Sequence, residues 1–98
     1  MALPLQPHWN ILFRQKFQSE NKVWEFHKKF YLPVQPYVGL VIREKDILLL
    51  VSEATWDVDL KMFTVDQPNC PLTPEDVEET VKLYKSQGWK LEPGIVWE

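Results

Sequence analysis

Apolar and polar residues alternate over residues 8–17, HWNILFRQKF, placing Trp9, Ile11, Phe13 and Phe17 on one side and Asn10, Arg14 and Lys16 on the other. Such alternation predicts a strand with one buried face. The next stretch, KVWEFHKKFY (residues 22–31), fits two periods. As a strand it puts Trp24, Phe26, Phe30 and Leu32 on one face. As a helix it stacks Val23, Phe26, His27, Phe30 and Tyr31 at i, i+3, i+4, i+7 and i+8. Its aromatic content and the polar QSEN just before it favour a strand paired with residues 9–17 as a hairpin, and Pro33 would end either form.

PYVGLVI (36–42) and DILLLVSEA (46–54) flank the polar turn REKD. Their continuous apolarity predicts two strands buried on both faces at the centre of a sheet, joined as a hairpin. With no Asn-Gly or Asp-Gly, the turn reads as a loop of about four residues rather than two. TWDVDLKMFTV (55–65) alternates cleanly and reads as one strand, with Trp56, Val58, Leu60 and Met62 opposite Asp57, Asp59 and Lys61. LPVQPY and DQPNCPLTP are proline-rich connectors, and their Pro33-x-x-Pro36 and Pro68-x-x-Pro71 spacings need no further reading than that.

Periodicity changes after residue 73. In TPEDVEETVKLYKSQG, Thr73 can cap, Pro74 suits the first helical position, Glu75 and Asp76 favour the positive end of the dipole, and Gly88 can end the helix, which gives residues 74–87. Val77, Thr80, Val81 and Tyr84 share a stripe with Leu83 at its edge, while Glu75, Glu78, Glu79, Lys82, Lys85 and Ser86 face away. The tail GWKLEPGIVWE offers a short strand broken at Pro93-Gly94, with Trp97 near its end. The whole reads as a single α+β domain over residues 1–98: a mainly antiparallel sheet of four to six strands with one C-terminal helix packed on one face.

Charge adds an asymmetry. Residues 1–45 carry seven Lys/Arg against three Glu, and residues 46–98 carry four Lys against eleven Asp/Glu. Opposite halves suit packing against each other, pairing of two copies, or a basic face for an acidic partner. The opening MALPLQPHW has no basic start and two prolines where a signal peptide needs an apolar helix, so a cytoplasmic location is expected. The apolar runs VGLVI and ILLLV fall far short of the ~20 residues that span a bilayer as a helix, so no membrane partner is expected.

Little catalytic chemistry is legible, and no enzyme is expected. Cys70 is the single cysteine, which excludes an intramolecular disulfide and a C-x-x-C site. Gly39, Gly88 and Gly94 are isolated, unlike the clustered glycines of phosphate-cradling loops. YVGLVIREKDILLL resembles, in apolar rhythm, the central hairpin of Nudix-type nucleotide-pyrophosphate hydrolases. No glycine- and glutamate-rich box follows it, so no activity is carried over. His8 and His27 lack the spacing of a metal shell, and Asp57-x-Asp59 reads as solvated charge, so neither metal nor cofactor is expected.

Three function classes remain. Five Trp, five Phe and three Tyr are more aromatic surface than so small a core readily hides, which favours a non-catalytic interaction module or accessory subunit that binds a protein partner or itself as a homodimer. Trp24, Phe26, Lys28, Phe30 and Trp56 are the candidate contact residues, with Lys28 expected on a solvated rim where reversing its charge leaves the fold intact. The alternative is single-stranded nucleic-acid binding, with Arg14, Lys16, Lys22, Lys28 and Lys29 on phosphates and Trp24, Phe26 or Tyr31 stacking on bases. Against it stand the acidic total and a pI near 5.4. The third class is a small enzyme using Cys70 or a histidine.

Overall fold

The computed structural model describes the backbone of residues 7–96 and the side chains of residues 7–92. Trp97 and the opening residues 1–6 lie outside the described residues. In chain order the elements are β1 (Trp9–Ser19), β2 (Lys22–Leu32), β3 (Val41–Glu44), β4 (Ile47–Leu50), β5 (Glu53–Asp57), β6 (Met62–Asp66), β7 (Cys70–Pro71), α1 (Pro74–Ser86) and β8 (Lys90–Val96). The architecture is α+β, and the main sheet runs β5-β6-β1-β2-β8, with β7 beside the end of β1. Most pairings are antiparallel, whereas β6 and β7 run parallel to β1.

The long β1–β2 hairpin organises everything else. Its two strands are rich in aromatic and β-branched residues, and they are joined by a tight turn in which Glu20 takes a left-handed φ of 54°. The register sets Phe17 opposite Trp24, Phe13 opposite Lys28 and Ile11 opposite Phe30, so one face of the hairpin carries nearly all its large apolar side chains. That face is the floor of the core. Ile11, Phe13, Phe17 and Phe26 meet Tyr84 and Trp89 from the helical side and Ile47, Leu49 and Val51 from the β3–β4 hairpin. Rings meet edge-on across it, Phe17 to Tyr84 at 5.0 Å and Tyr84 to Trp89 at 5.2 Å, an arrangement that aligns positive ring edges with negative ring faces. The opposite, more open face of the sheet carries exposed Lys16 and Lys29 among half-buried Leu12, Arg14, Glu25 and His27.

The helix follows its sequence pattern closely. Val77, Thr80 and Val81 are half-buried and Tyr84 is buried, while Glu75, Glu78, Glu79, Lys82 and Lys85 are exposed. Thr73 precedes it in extended conformation, but its hydroxyl donates to Asp76 Oδ2 at 2.8 Å rather than capping a backbone group. At the other end Gln87 is the cap and Gly88, at φ 89°, makes the left-handed exit that a side chain would strain.

Four expectations fail, each for a physical reason. β3 and β4 are not the sheet centre but form a separate two-stranded sheet, because β2 and β6 already occupy both edges of β1. Their connection is a two-residue turn, not a loop of about four. Glu44 pairs with Ile47, and Lys45 supplies the left-handed residue, at φ 53°, that Asn or Gly would ordinarily provide. Residues 55–65 are not one strand but the hairpin β5–β6, folded back where the Asp57 carboxylate accepts the Leu60 N–H at 2.9 Å and Lys61 sits at φ 54°. The period-two alternation runs straight through that turn and so conceals it. Finally, β8 continues through Pro93-Gly94: two residues there oppose Trp24 alone, a bulge on an edge strand, where a missing N–H is tolerated.

Candidate functional site

The separated β3–β4 hairpin has two unlike faces. Strand alternation turns Ile47, Leu49 and Val51 into the core at 4%, 0% and 1% exposure, with Ile42 half-buried beside them. The same alternation turns Val41, Leu48 and Leu50 outward, at 56%, 61% and 42% exposure. Val41 pairs directly with Leu50, and Leu48 lies two residues along the same face. Tyr37 and Val38, 59% and 68% exposed, lie in the segment that leads into β3. Arg43 is the one charged side chain that the outer face of the two strands presents, and no carboxylate shares it. Isolated exposed leucines are ordinary on soluble proteins, whereas apolar side chains grouped on one strand face are the less common case.

A polar contact anchors the hairpin. Lys28 Nζ donates to Glu44 Oε2 at 2.8 Å and to the carbonyl of Gln87 at 2.5 Å, so one ammonium ties β2, the β3–β4 turn and the end of α1 together. It also sits 5.1 Å from the centre of the Phe30 ring. The Lys28 and Glu44 side chains are only 21% and 16% exposed. Lys28 is therefore no solvated rim residue, which corrects the expectation that its charge could be reversed harmlessly. Sequence reasoning put Lys28 on the right face but could not supply Glu44, sixteen residues away, as its partner.

The other residues singled out from sequence scatter. Phe26 is fully buried and Phe30 packs edge-on against Phe13 at 5.0 Å, so both serve the core. Trp24 is half-buried against the same core. Trp56 alone of that set is well exposed, 49%, on β5, with its ring edge-on to Phe63 at 5.0 Å. Val58 and Leu60, at the tip of that hairpin, are more exposed still.

The basic residues divide between the two faces. Lys22 and Lys28 share the core side of β2, whereas Arg14, Lys16 and Lys29 lie on the open side. There Arg14 is held by Asp66 through two bonds of 2.7 Å, and those bonds raise the guanidinium pKa against the opposing effect of partial burial. Lys16 approaches Glu25 at 3.7 Å. The ring of His27 lies between Glu25, at 3.0 Å, and Glu92, at 3.4 Å. A cleft of about 420 Å³ opens beside it where β8 stops short of the end of β2, with Lys29, Lys90 and Glu92 in its wall. A second, of about 350 Å³, lies over Arg14, Lys16, Glu53 and Asp66. Both clefts mix charges of the two signs.

Cys70 is half-buried against the core, with its thiol 3.8 Å from the Pro71 carbonyl, and among the described residues no group of His, Cys, Asp and Glu is arranged to hold a metal ion. His8 stacks on Tyr31 at 4.8 Å. Among the described residues no helix is long and apolar enough to cross a membrane. The chain matches no family model, no curated protein and no solved structure.

The surface residues Tyr37, Val38, Val41, Leu48 and Leu50 were not candidates from sequence. For Leu48 and Leu50 the signal was present in the unbroken run ILLLV, which describes a strand with apolar side chains on both faces. Among the described residues only one of those faces finds a cover.

Proposed function

We propose that the protein is a non-catalytic cytoplasmic interaction module, an accessory or regulatory subunit that docks onto another protein chain through the outer face of β3–β4. One observation carries this reading: Val41, Leu48 and Leu50 stand exposed together on a hairpin whose inner face is locked into the core. Burying such side chains releases roughly 25 cal/mol for each Å² removed from water, and the gain is largest when the surface is already rigid. The Lys28–Glu44 contact and the buried Ile47, Leu49 and Val51 provide that rigidity. Trp56, with Val58 and Leu60, offers a second apolar surface that a large partner could also cover.

Nucleic-acid binding draws less support. Two of its five basic residues, Arg14 and Lys28, are committed to Asp66 and Glu44, and Glu25 interrupts the rest. The test of the docking reading is a photo-crosslinking amino acid placed at Leu48 and, as control, at Glu79 on the exposed side of α1. Protein adducts in cells from position 48 and not from 79 are expected. Equal labelling from the two positions would overturn the assignment of this surface.

A further inference from the structure

β8 covers only part of the edge of β2. It pairs with β2 from Lys22 to His27, where Lys90 stands opposite His27, and the residues before Lys90 turn away toward the end of α1. The last stretch of β2, residues 28–32, therefore pairs with β1 alone. Among the described residues no other hydrogen bond reaches its backbone. Successive residues of an antiparallel strand direct their N–H and C=O to opposite sides, so alternate residues of this stretch offer both groups to an added strand. The cleft of about 420 Å³ opens at the point where β8 leaves off, between Lys29, Gly88 and Lys90, with Leu12, opposite Lys29 on β1, in its wall. Lys29 and Lys90 are exposed on the same face of the sheet on either side of this break, and among the described residues neither is held by a carboxylate. Glu92 also lines the cleft, but it stands two residues further along β8, opposite Glu25, and faces the His27 ring at 3.4 Å.

From these observations we infer that the open end of β2 is a strand-addition site whose occupant is an extended acidic segment of a partner protein, about five residues long. The segment continues the track of β8 and hydrogen-bonds to the β2 backbone at residues 28–32. Its side chains alternate between the two faces. Those on the open face are carboxylates that meet Lys29 and Lys90. Those on the other face are small and apolar, because that side is closed by Phe30, Trp89 and the end of α1, where Lys28 holds the Gln87 carbonyl. Charge selects this occupant over others. A second copy presenting its own β2 end would set lysine against lysine, which is how exposed strand edges commonly refuse self-pairing. The free edge of β5 carries Glu53 and Asp57 and repels the same acidic segment, while the outer edge of β8 is interrupted by its bulge. The site uses none of the residues on the outer face of β3–β4, so it stands or falls apart from the docking reading.

The probe is the peptide acetyl-Glu-Val-Glu-Val-Glu-amide, titrated to about 5 mM into the full chain at low salt and followed by amide chemical shifts. A dissociation constant on the order of 1 mM is expected, since a few backbone hydrogen bonds form against the entropy of ordering a short peptide. Shifts should appear at residues 28–32 and 88–90 and stay absent at 53–57. Lys29→Glu combined with Lys90→Glu should weaken binding by roughly tenfold or more, and circular dichroism checks that these exposed substitutions leave the fold intact. The same peptide N-methylated at every internal residue keeps its charge but cannot donate to the β2 backbone, and it should no longer bind. Absence of shifts at residues 28–32 throughout the titration overturns the site. Equal binding of the N-methylated peptide overturns strand addition, and equal binding of acetyl-Lys-Val-Lys-Val-Lys-amide overturns the acidic occupant.

Discussion

Tyr84 shows how burial alone changes the chemistry of one residue. It is 8% exposed amid Phe17, Phe26 and Trp89, and burial pushes its hydroxyl up from 10.0 to about 12, with nearby Cys70 contributing in the same direction. The folded form therefore holds its proton after the unfolded chain has lost it. The associated stability is fully present below pH 10 and is lost as pH rises toward 12. Thermal melts across that interval should show a falling midpoint, and Tyr84→Phe should fall less steeply than wild type. Parallel slopes for the two proteins would mean that other groups govern alkaline unfolding. The helical spacing had already placed Tyr84 on the packing stripe; which rings it would meet was not legible, since those come from β1, β2 and the segment after α1.

At the scale of elements, the β3–β4 hairpin depends on a contact from outside itself. Lys28→Met should cost about 2 kcal/mol, because it leaves the Glu44 carboxylate largely buried without its cation. For a chain of this length that corresponds to a melting point lower by about 10 °C. Adding Glu44→Leu should recover most of the loss, since two apolar groups replace both charges at once. If the double variant is no more stable than Lys28→Met, the penalty comes from Gln87 and the end of α1 rather than from the ion pair. The hairpin was readable from its two apolar runs, and so was α1 from its cap, proline and amphipathic stripe. The β5–β6 hairpin was not, because a turn made by Asp57 and Lys61 preserves the alternation that a single strand would show.

For the whole molecule, the open sheet face decides how the chain meets charged partners. Arg14, Lys16, His27, Lys29 and Lys90 stand there among Glu25, Glu53, Asp66 and Glu92, so the field over that face alternates in sign. A polyanion would meet carboxylates interspersed among the cations. Gel-shift titration with random single-stranded DNA and RNA at low salt should accordingly show no retention below about 10 µM protein. Sub-micromolar binding that Lys16→Glu and Lys29→Glu together abolish would instead promote the nucleic-acid reading. Composition had suggested that surplus aromatic rings would form the contact surface. In the folded chain most of those rings meet one another in the core, and the surface left uncovered is mainly aliphatic.

The local pattern by itself determined β1 and its buried face, the position of α1 and hence the α+β class, while for residues 22–31 it allowed both a strand and a helix. A side chain's period in the sequence fixes the direction in which it points, because strand and helix geometry are local. It carries no information about what stands opposite. Only the tertiary structure decided that β1 would have both edges taken, that Lys28 would find Glu44 and Gln87, and that ILLLV would be covered on one face and bare on the other. Each of those outcomes depends on competition among distant segments for the same surface, and a sequence lists the competitors without their positions.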